Sequence, residues 1–424
     1  MTNREMVERS LAAVWHPCTQ MKTHERFPLV PIARAEGAWL HDFDGKRYLD
    51  AVSSWWVNLF GHAHPAIDAA LRDQVGKLEH VMIAGFTHAP VVELAERLSQ
   101  IAPGKLGHAF FASDGASAAE IALKMAFHYW ANRGKGGKRR FVSLEGGYHG
   151  ETVGALAVTD VAIFRDAYAP LVRESILVPF PGSDNAIAAL EKLLTERHDE
   201  IAALIVEPLV QGASGMRMYS PEYLRRAREL CTQHSVLLIA DEIMTGFGRT
   251  GTMFACEQAG IAPDLMCLSK GITGGYLPLS CVLSSDEIYA AFYDDDPRKG
   301  FLHSHSYTGN PLACRAACAV LDLFERDNVI AANVVKAARF TKAAEPLAKH
   351  RSVRNFRHLG MIWAFEAATN EPAFASRAFA LAVERGVLLR PIGNTVYFMP
   401  PYVIDDAQFS LLVETSLAIV DTLS

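Results

Sequence analysis

Residues 237–251 read LLIADEIMTGFGRTG, four apolar residues running straight into Asp241 and Glu242. An apolar run of this length without alternation fits a strand buried on both faces of a parallel sheet. Open α/β sheets bind ligands outside the carboxyl ends of their strands, so the two acids stand where a ligand is expected. Read alone, the string also fits a strand end whose acids cap the next helix. A second run, LMCLSKG at 265–271, ends in Lys270, 29 residues after Asp241. Two opposite charges are then expected in one crevice. A lysine drawn out of water has its pKa pulled down, which frees the amine to form an imine. The carboxylate, for its part, can keep a ring nitrogen protonated.

Around these two runs, short apolar segments alternate with amphipathic ones. HAFFAS at 108–113, RRFVSLE at 139–145, AALIVEP at 202–208 and LSCVLSS at 279–285 are strand candidates, while 118–133 and 221–234 have helical periodicity. Such an alternation is what a sheet covered by helices on both faces produces. The fold class is therefore α/β with a mostly parallel central sheet. Residues 66–81 and 89–102 also read as helices. The first sixty residues differ: LVPIARAEGAWLHDFDGKRYLDAVSS at 29–54 alternates apolar and polar residues around Asp44-Gly45, a hairpin signal. After residue 312 strands and helices mix again, ending in the helix pattern at 407–423. A large domain over 61–312 and a smaller α+β domain built from 1–60 and 313–424 are expected.

Three further segments carry ligand chemistry. In FFASDGASAAEIALKMAFHYW at 110–130, Gly115, Ala116 and Ser117 open a long helix whose first N–H groups can face a phosphate. Capping by Ser113 or Asp114 without a ligand is the alternative. Neither G-x-G-x-x-G nor a Walker pattern is present, so dinucleotide and P-loop readings fail. GGYHG at 146–150 sets Tyr148 and His149 after a strand, between glycines that let the backbone approach a flat ligand, or else is a turn with an incidental aromatic. GVLLRPIG at 386–393 ends an apolar run in Arg390, a bidentate partner for a carboxylate or a solvated arginine before proline.

Composition removes several classes of function. Half of the 424 residues are hydrophobic and the formal net charge is −6, which leaves no positive excess for nucleic acid or anionic lipid. The opening MTNREMVERS lacks the apolar stretch of a secretory signal, and no apolar run reaches the ~18 residues of a spanning helix. A cytoplasmic protein is expected. Seven scattered cysteines without a C-x-x-C pair fit reduced thiols. Without H-E-x-x-H or zinc-type Cys/His spacing, no metal is expected.

The motifs IVEPLVQGASG (205–215), LLIADEIMTGFGRTG (237–251), CLSKGITGG (267–275) and SYTGNPLA (306–313) resemble the class III aminotransferases of fold type I, over residues 15–402. The resemblance implies pyridoxal 5'-phosphate as cofactor, with Lys270 as the Schiff-base lysine that also moves the proton and Asp241 on the pyridine nitrogen. It implies Gly115 and Ala116 on the phosphate, Tyr148 stacked on the ring, and a homodimer in which His305 and Ser306 reach the neighbouring subunit's phosphate. WHPCTQM (15–21), SSWW (53–56), RPIG (390–393) and FMPPY (398–402) resemble the branch that aminates 8-amino-7-oxononanoate in biotin biosynthesis. That likeness implies substrate contacts from Cys18, Trp55, Tyr148, Arg249, Lys270, Ser304, Arg390 and Tyr402, with Arg390 taking the carboxylate. The common pattern using S-adenosyl-L-methionine as donor has tyrosine where this chain has Cys18, and glycine-proline where it has Ser304 and His305. WHPCTQMK, KGITGGYLPLS and HSYTGN also resemble the branch that uses L-lysine as donor. The alternatives are another class III ω-aminotransferase, a decarboxylase or aminomutase on the same fold, and a non-catalytic cofactor-binding or scaffold protein.

Overall fold

The computed structural model describes residues 1–27 and 29–424. Contacts divide the chain into two compact units, one of Ala66–Val334 and one of Met1–Pro65 with Val335–Ser424. The second division falls later than the expected 312/313. The reason is packing: helix Pro311–Arg326 buries Cys314, Ala317, Cys318 and Leu321 and lies against helix Ala89–Ile101 of the same unit.

Seven strands form the sheet of the central unit: β1 (His108–Ala112), β2 (Arg140–Leu144), β3 (Ile176–Val178), β4 (Ile201–Val206), β5 (Leu237–Asp241), β6 (Leu265–Leu268) and β7 (Ser280–Ser284). Their order is β1-β7-β6-β5-β4-β2-β3. Six run the same way and β7 runs against them. Strands β4, β5 and β6 are buried throughout, which is why they read as unbroken apolar runs. Register aligns Ala240 with Val206 and Asp241 with Cys267. Glu207 therefore leaves β4 at the level of Asp241, and Lys270 follows just beyond the end of β6.

Helix α1 (Gly115–Asn132) covers the middle of this sheet. Asp114 caps it by accepting the Ser117 N–H at 2.9 Å. Ala118, Ile121, Ala122, Met125, Ala126 and Tyr129 form its buried stripe, and Trp130 donates from Nε1 to the Ala202 carbonyl at 2.8 Å. Small alanines let the helix lie close to the strands. Truncating Ile121 to alanine there would cost about 2–5 kcal/mol.

The unit holding both chain ends contains a four-stranded sheet, Ile32–Glu36, Trp39–Asp42, Arg47–Asp50 and Val387–Leu388, and a three-stranded antiparallel sheet, Val353–Leu359, Ile362–Ala367 and Thr395–Phe398. The Asp44-Gly45 signal marks the expected hairpin, with Gly45 at φ +91°. Helix Asp406–Leu423 closes the unit, Phe409 stacking on Phe340 at 4.2 Å. Helix Asn3–Ala13 was not expected in a β-rich beginning, although its capping box, Thr2 with Glu5, stands in the sequence. Ser53–Trp56 forms a left-handed turn with φ of 51°, 48°, 82° and 72°. Each such non-glycine residue costs roughly 1–2 kcal/mol.

Candidate active site

The carboxyl ends of β2, β4, β5 and β6 meet in one crevice. Asp241 is buried there; its Oδ1 accepts the Ile243 N–H at 3.1 Å and its Oδ2 lies 2.7 Å from His149 Nδ1. An ionised carboxylate only accepts, so the imidazole carries its proton on Nδ1 and donates it. Glu242 turns the other way. It is fully buried and accepts from the Thr245 hydroxyl and, at 2.8 Å, from the Cys256 N–H, so it anchors the loop after β5 rather than facing the crevice. Burial raises its pKa.

Lys270 follows β6 in a left-handed conformation, φ +46°. Withdrawal from water lowers its pKa, while the charges of Asp241 and Glu207 act in the opposite sense. Both acids are therefore electrostatic neighbours of the amine. Glu207 is buried and accepts the N–H groups of Tyr148 and Gly212, each at 2.9 Å. Loss of water pushes its pKa up to about 7, against the opposing influence of His149.

The GGYHG turn lies against the start of α1. A Cβ on Gly150, φ +121°, would stand 2.5 Å from Ala116 Cβ, so only glycine lets the two segments meet this closely. Gly115 is less tightly held, since its Cβ would lie 3.1 Å from two side-chain carbons of Ile243, which would have to give by a few tenths of an ångström. These contacts draw the first turn of α1, the aromatic turn and the residues after Asp241 together. Tyr148 donates from its hydroxyl to Glu151 at 2.9 Å and its ring meets Phe164 edge-on at 5.5 Å.

Of the other expected residues in this unit, Arg249 is fully buried and Ser304 and Ser306 are exposed. Within the chain, His305 Nε2 lies 3.0 Å from Ser113 Oγ, and the Ser306 carbonyl is 2.8 Å from His80 Nε2. The remaining residues belong to the unit of the chain ends. There the Arg390 guanidinium lies 4.5 Å from the centre of the Trp55 ring. Both line a cavity of about 560 Å³ with Phe27, Leu29, Phe379 and Leu388. Its size suits a small ligand, with an apolar wall and one cation. Cys18 is exposed at φ +49°, and Tyr402 is buried edge-on to Phe60.

Two residues of the crevice escaped the sequence reading. His149 read as an aromatic neighbour of Tyr148 rather than as the partner of Asp241. Glu207 read only as part of a motif, although I-V-E-P has the same form as I-A-D-E: an apolar run ending in an acid.

A model of the family described as aminotransferase class III matches residues 20–420. The chain belongs to the class III aminotransferases. The aminotransferase is 46% identical to the adenosylmethionine-8-amino-7-oxononanoate aminotransferase of Helicobacter pylori, over 97% of each chain. It superposes on the crystal structure of the enzyme of that name from Methanocaldococcus jannaschii with a TM-score of 0.96 and 35% identity, covering 99% of both chains. An amine transaminase from an uncultivated Pseudomonas species, solved in its PLP-bound form, aligns with a TM-score of 0.90 and 33% identity over 97% of this chain and 99% of that one. The fold is thus fold type I, and the cofactor is pyridoxal 5'-phosphate.

The crevice fits that cofactor. Among the described residues the N–H groups of Gly115 and Ala116 have no partner, whereas Ser117 is taken by Asp114. They are suited to a phosphate. Asp241 offers a buried carboxylate to a cationic ring nitrogen, Tyr148 a flat face, and Lys270 an amine of lowered pKa. No helix among the described residues is long and apolar enough to cross a membrane.

Proposed function

We propose that the aminotransferase converts 8-amino-7-oxononanoate to 7,8-diaminononanoate, a step of biotin biosynthesis, with S-adenosyl-L-methionine as amino donor. The observation that carries this reading is the Arg390–Trp55 pair beside an apolar cavity, in a chain whose similar proteins bear the name of that activity over nearly their full length. A keto acid with a long aliphatic chain presents what that cavity can take: a carboxylate for the guanidinium and methylene groups for the wall.

Pyridoxal phosphate supplies, when bound, an electron sink for the carbanion left by proton removal. Lys270 Nζ would take that proton and return it to the neighbouring carbon, and its withdrawal from water, which lowers its pKa, favours the neutral amine this requires. Asp241, held by His149 and the Ile243 N–H, keeps a positive charge on the ring nitrogen. Gly115 and Ala116 would hold the phosphate through their N–H groups, and Tyr148 would offer its face to the ring. The protein works as a cytoplasmic homodimer, in which the partner subunit's His305 and Ser306 complete the phosphate cup. Trp55 and Arg390 orient the acceptor, and the family resemblance adds Arg249, Ser304 and Tyr402 as substrate contacts.

A second reading keeps the acceptor and replaces the donor by L-lysine. It is favoured by Cys18, since a thiol gives an adenine no flat surface to stack on, an interaction of about 0.5–1.5 kcal/mol in aromatic pairs. Mixing the holoenzyme separately with each donor, while following the cofactor's visible absorbance, decides between them. Conversion by S-adenosylmethionine, reversed by 8-amino-7-oxononanoate, is expected. Conversion by lysine alone selects the second reading, and no reversal by the keto acid overturns both.

A further inference from the structure

Trp55 is 42% exposed in a backbone that a tryptophan rarely adopts, and the residues before it share the same handedness. Such a conformation persists only where its surroundings over-determine it. The surroundings here converge on one side chain. Asp50 is fully buried; its Oδ1 accepts the N–H groups of Val52 at 3.2 Å and Ser54 at 3.0 Å. Its Oδ2 accepts the Ser54 hydroxyl at 2.7 Å and lies 3.1 Å from His62 Nε2. The two ends of the turn are pinned separately, Ser53 Oγ donating to the Met399 carbonyl at 2.7 Å and Trp56 Nε1 to the Tyr397 hydroxyl at 3.0 Å. Trp55 sits between these anchors with its ring against Arg390.

We propose that Asp50 is a positioning residue for the acceptor: its carboxylate winds Ser53–Trp56 into the left-handed turn that presents Trp55 to Arg390. This rests on the assignment of Trp55 and Arg390 to the acceptor site. Without the carboxylate, the Ser54 amide inside the turn and the Val52 amide just before it lose their acceptor and the non-glycine residues relax towards negative φ, which moves the indole off the guanidinium. The anchors at Ser53 and Trp56 remain, so the fold survives while the placement of Trp55 does not.

The test uses holoenzyme labelled with 5-fluorotryptophan, the Trp55 resonance being assigned by its loss in Trp55→Phe. In Asp50→Ala that resonance should shift or broaden and lose its sensitivity to Arg390→Ala, and KM for 8-amino-7-oxononanoate should rise about tenfold or more, with a smaller change in kcat. Adding Ser54→Gly, which removes the cost of a positive φ at that position, should recover part of the KM. Asp50→Asn, which exchanges one acceptor oxygen for a donor, reports in the same way should the alanine variant not fold. An unchanged Trp55 resonance, or a KM loss that Ser54→Gly leaves untouched, overturns the proposal. Wild-type protein inert towards the keto acid overturns the substrate assignment instead, and the fluorine signal still decides the role of Asp50.

Discussion

His149 donates from Nδ1 to Oδ2 of Asp241 over 2.7 Å, with both side chains buried. The other carboxylate oxygen is met by the Ile243 N–H. His149→Leu leaves Oδ2 without its donor in a site closed to water. A hydrogen bond to a charged group contributes about 1.5–3 kcal/mol, so kcat is expected to fall roughly ten- to a hundredfold and the cofactor to dissociate faster. Steady-state kinetics and cofactor loss on dialysis check both; an unaltered kcat would mean that Asp241 works without this partner.

Lys270→Ala removes the amine assigned to proton movement. Turnover should drop at least 10²–10⁴-fold, the usual range for a positioned acid or base, with the fold retained. Added methylamine should restore a measurable part of the rate. Rescue would separate a missing base from a collapsed crevice, and full activity without the lysine would remove it from the mechanism.

Strands β4, β5 and β6 were legible because burial on both faces leaves nothing but apolar residues between their ends. Asp241 and Lys270 were legible for the same reason: an unbroken apolar run makes the charge that ends it conspicuous. Glu242 was less so, because sequence does not tell which way a side chain turns once the strand has ended, and here it meets Thr245 and Cys256. The left-handed turn at Ser53–Trp56 was hidden altogether. It contains no glycine, and what holds it, Asp50 and the distant Tyr397 and Met399, is tertiary. The antiparallel direction of β7 was equally hidden, since an apolar run has no polarity of its own.

Glu207 gives the fold a pH dependence of defined sign. Its folded pKa of about 7 lies above the ordinary carboxylate value of 4.5, so the folded state binds more protons than the unfolded one between these values. Stability therefore falls as pH rises through this window, by on the order of 3 kcal/mol for this group alone. Glu207→Gln cannot ionise and should show a smaller loss. Denaturant midpoints of both proteins at pH 5 and pH 8 measure the difference; parallel shifts in the two would remove Glu207 as the cause.

Gly150 tests the closeness of the aromatic turn to the start of α1. A methyl group there would stand 2.5 Å from Ala116 Cβ, in a backbone at φ +121° that side chains avoid. Gly150→Ala is expected to cost about 1–3 kcal/mol of stability and to weaken cofactor binding together, because Ala116 must move and its N–H is assigned to the phosphate. Thermal unfolding and cofactor titration should change in step. Lost stability with full cofactor affinity would separate the turn from the phosphate site.

Arg390 offers the sharpest measure of the acceptor. Its guanidinium carries two properties at once, a planar fork that can engage both oxygens of a carboxylate and a face that lies 4.5 Å from the Trp55 ring. Arg390→Lys keeps the charge and gives up the fork, whereas Arg390→Ala gives up both. The rise in KM for 8-amino-7-oxononanoate should therefore be graded, about tenfold for lysine and about a hundredfold for alanine. The decisive quantity is selectivity, the ratio of kcat/KM for the free acid to that for its methyl ester, because the ester has the same chain and no charge. In the wild type that ratio should be large and in Arg390→Ala it should fall towards one, since removing either half of a charge pair abolishes the same interaction. A ratio unchanged in both variants would move carboxylate recognition to another cation and leave Arg390 as a support for Trp55.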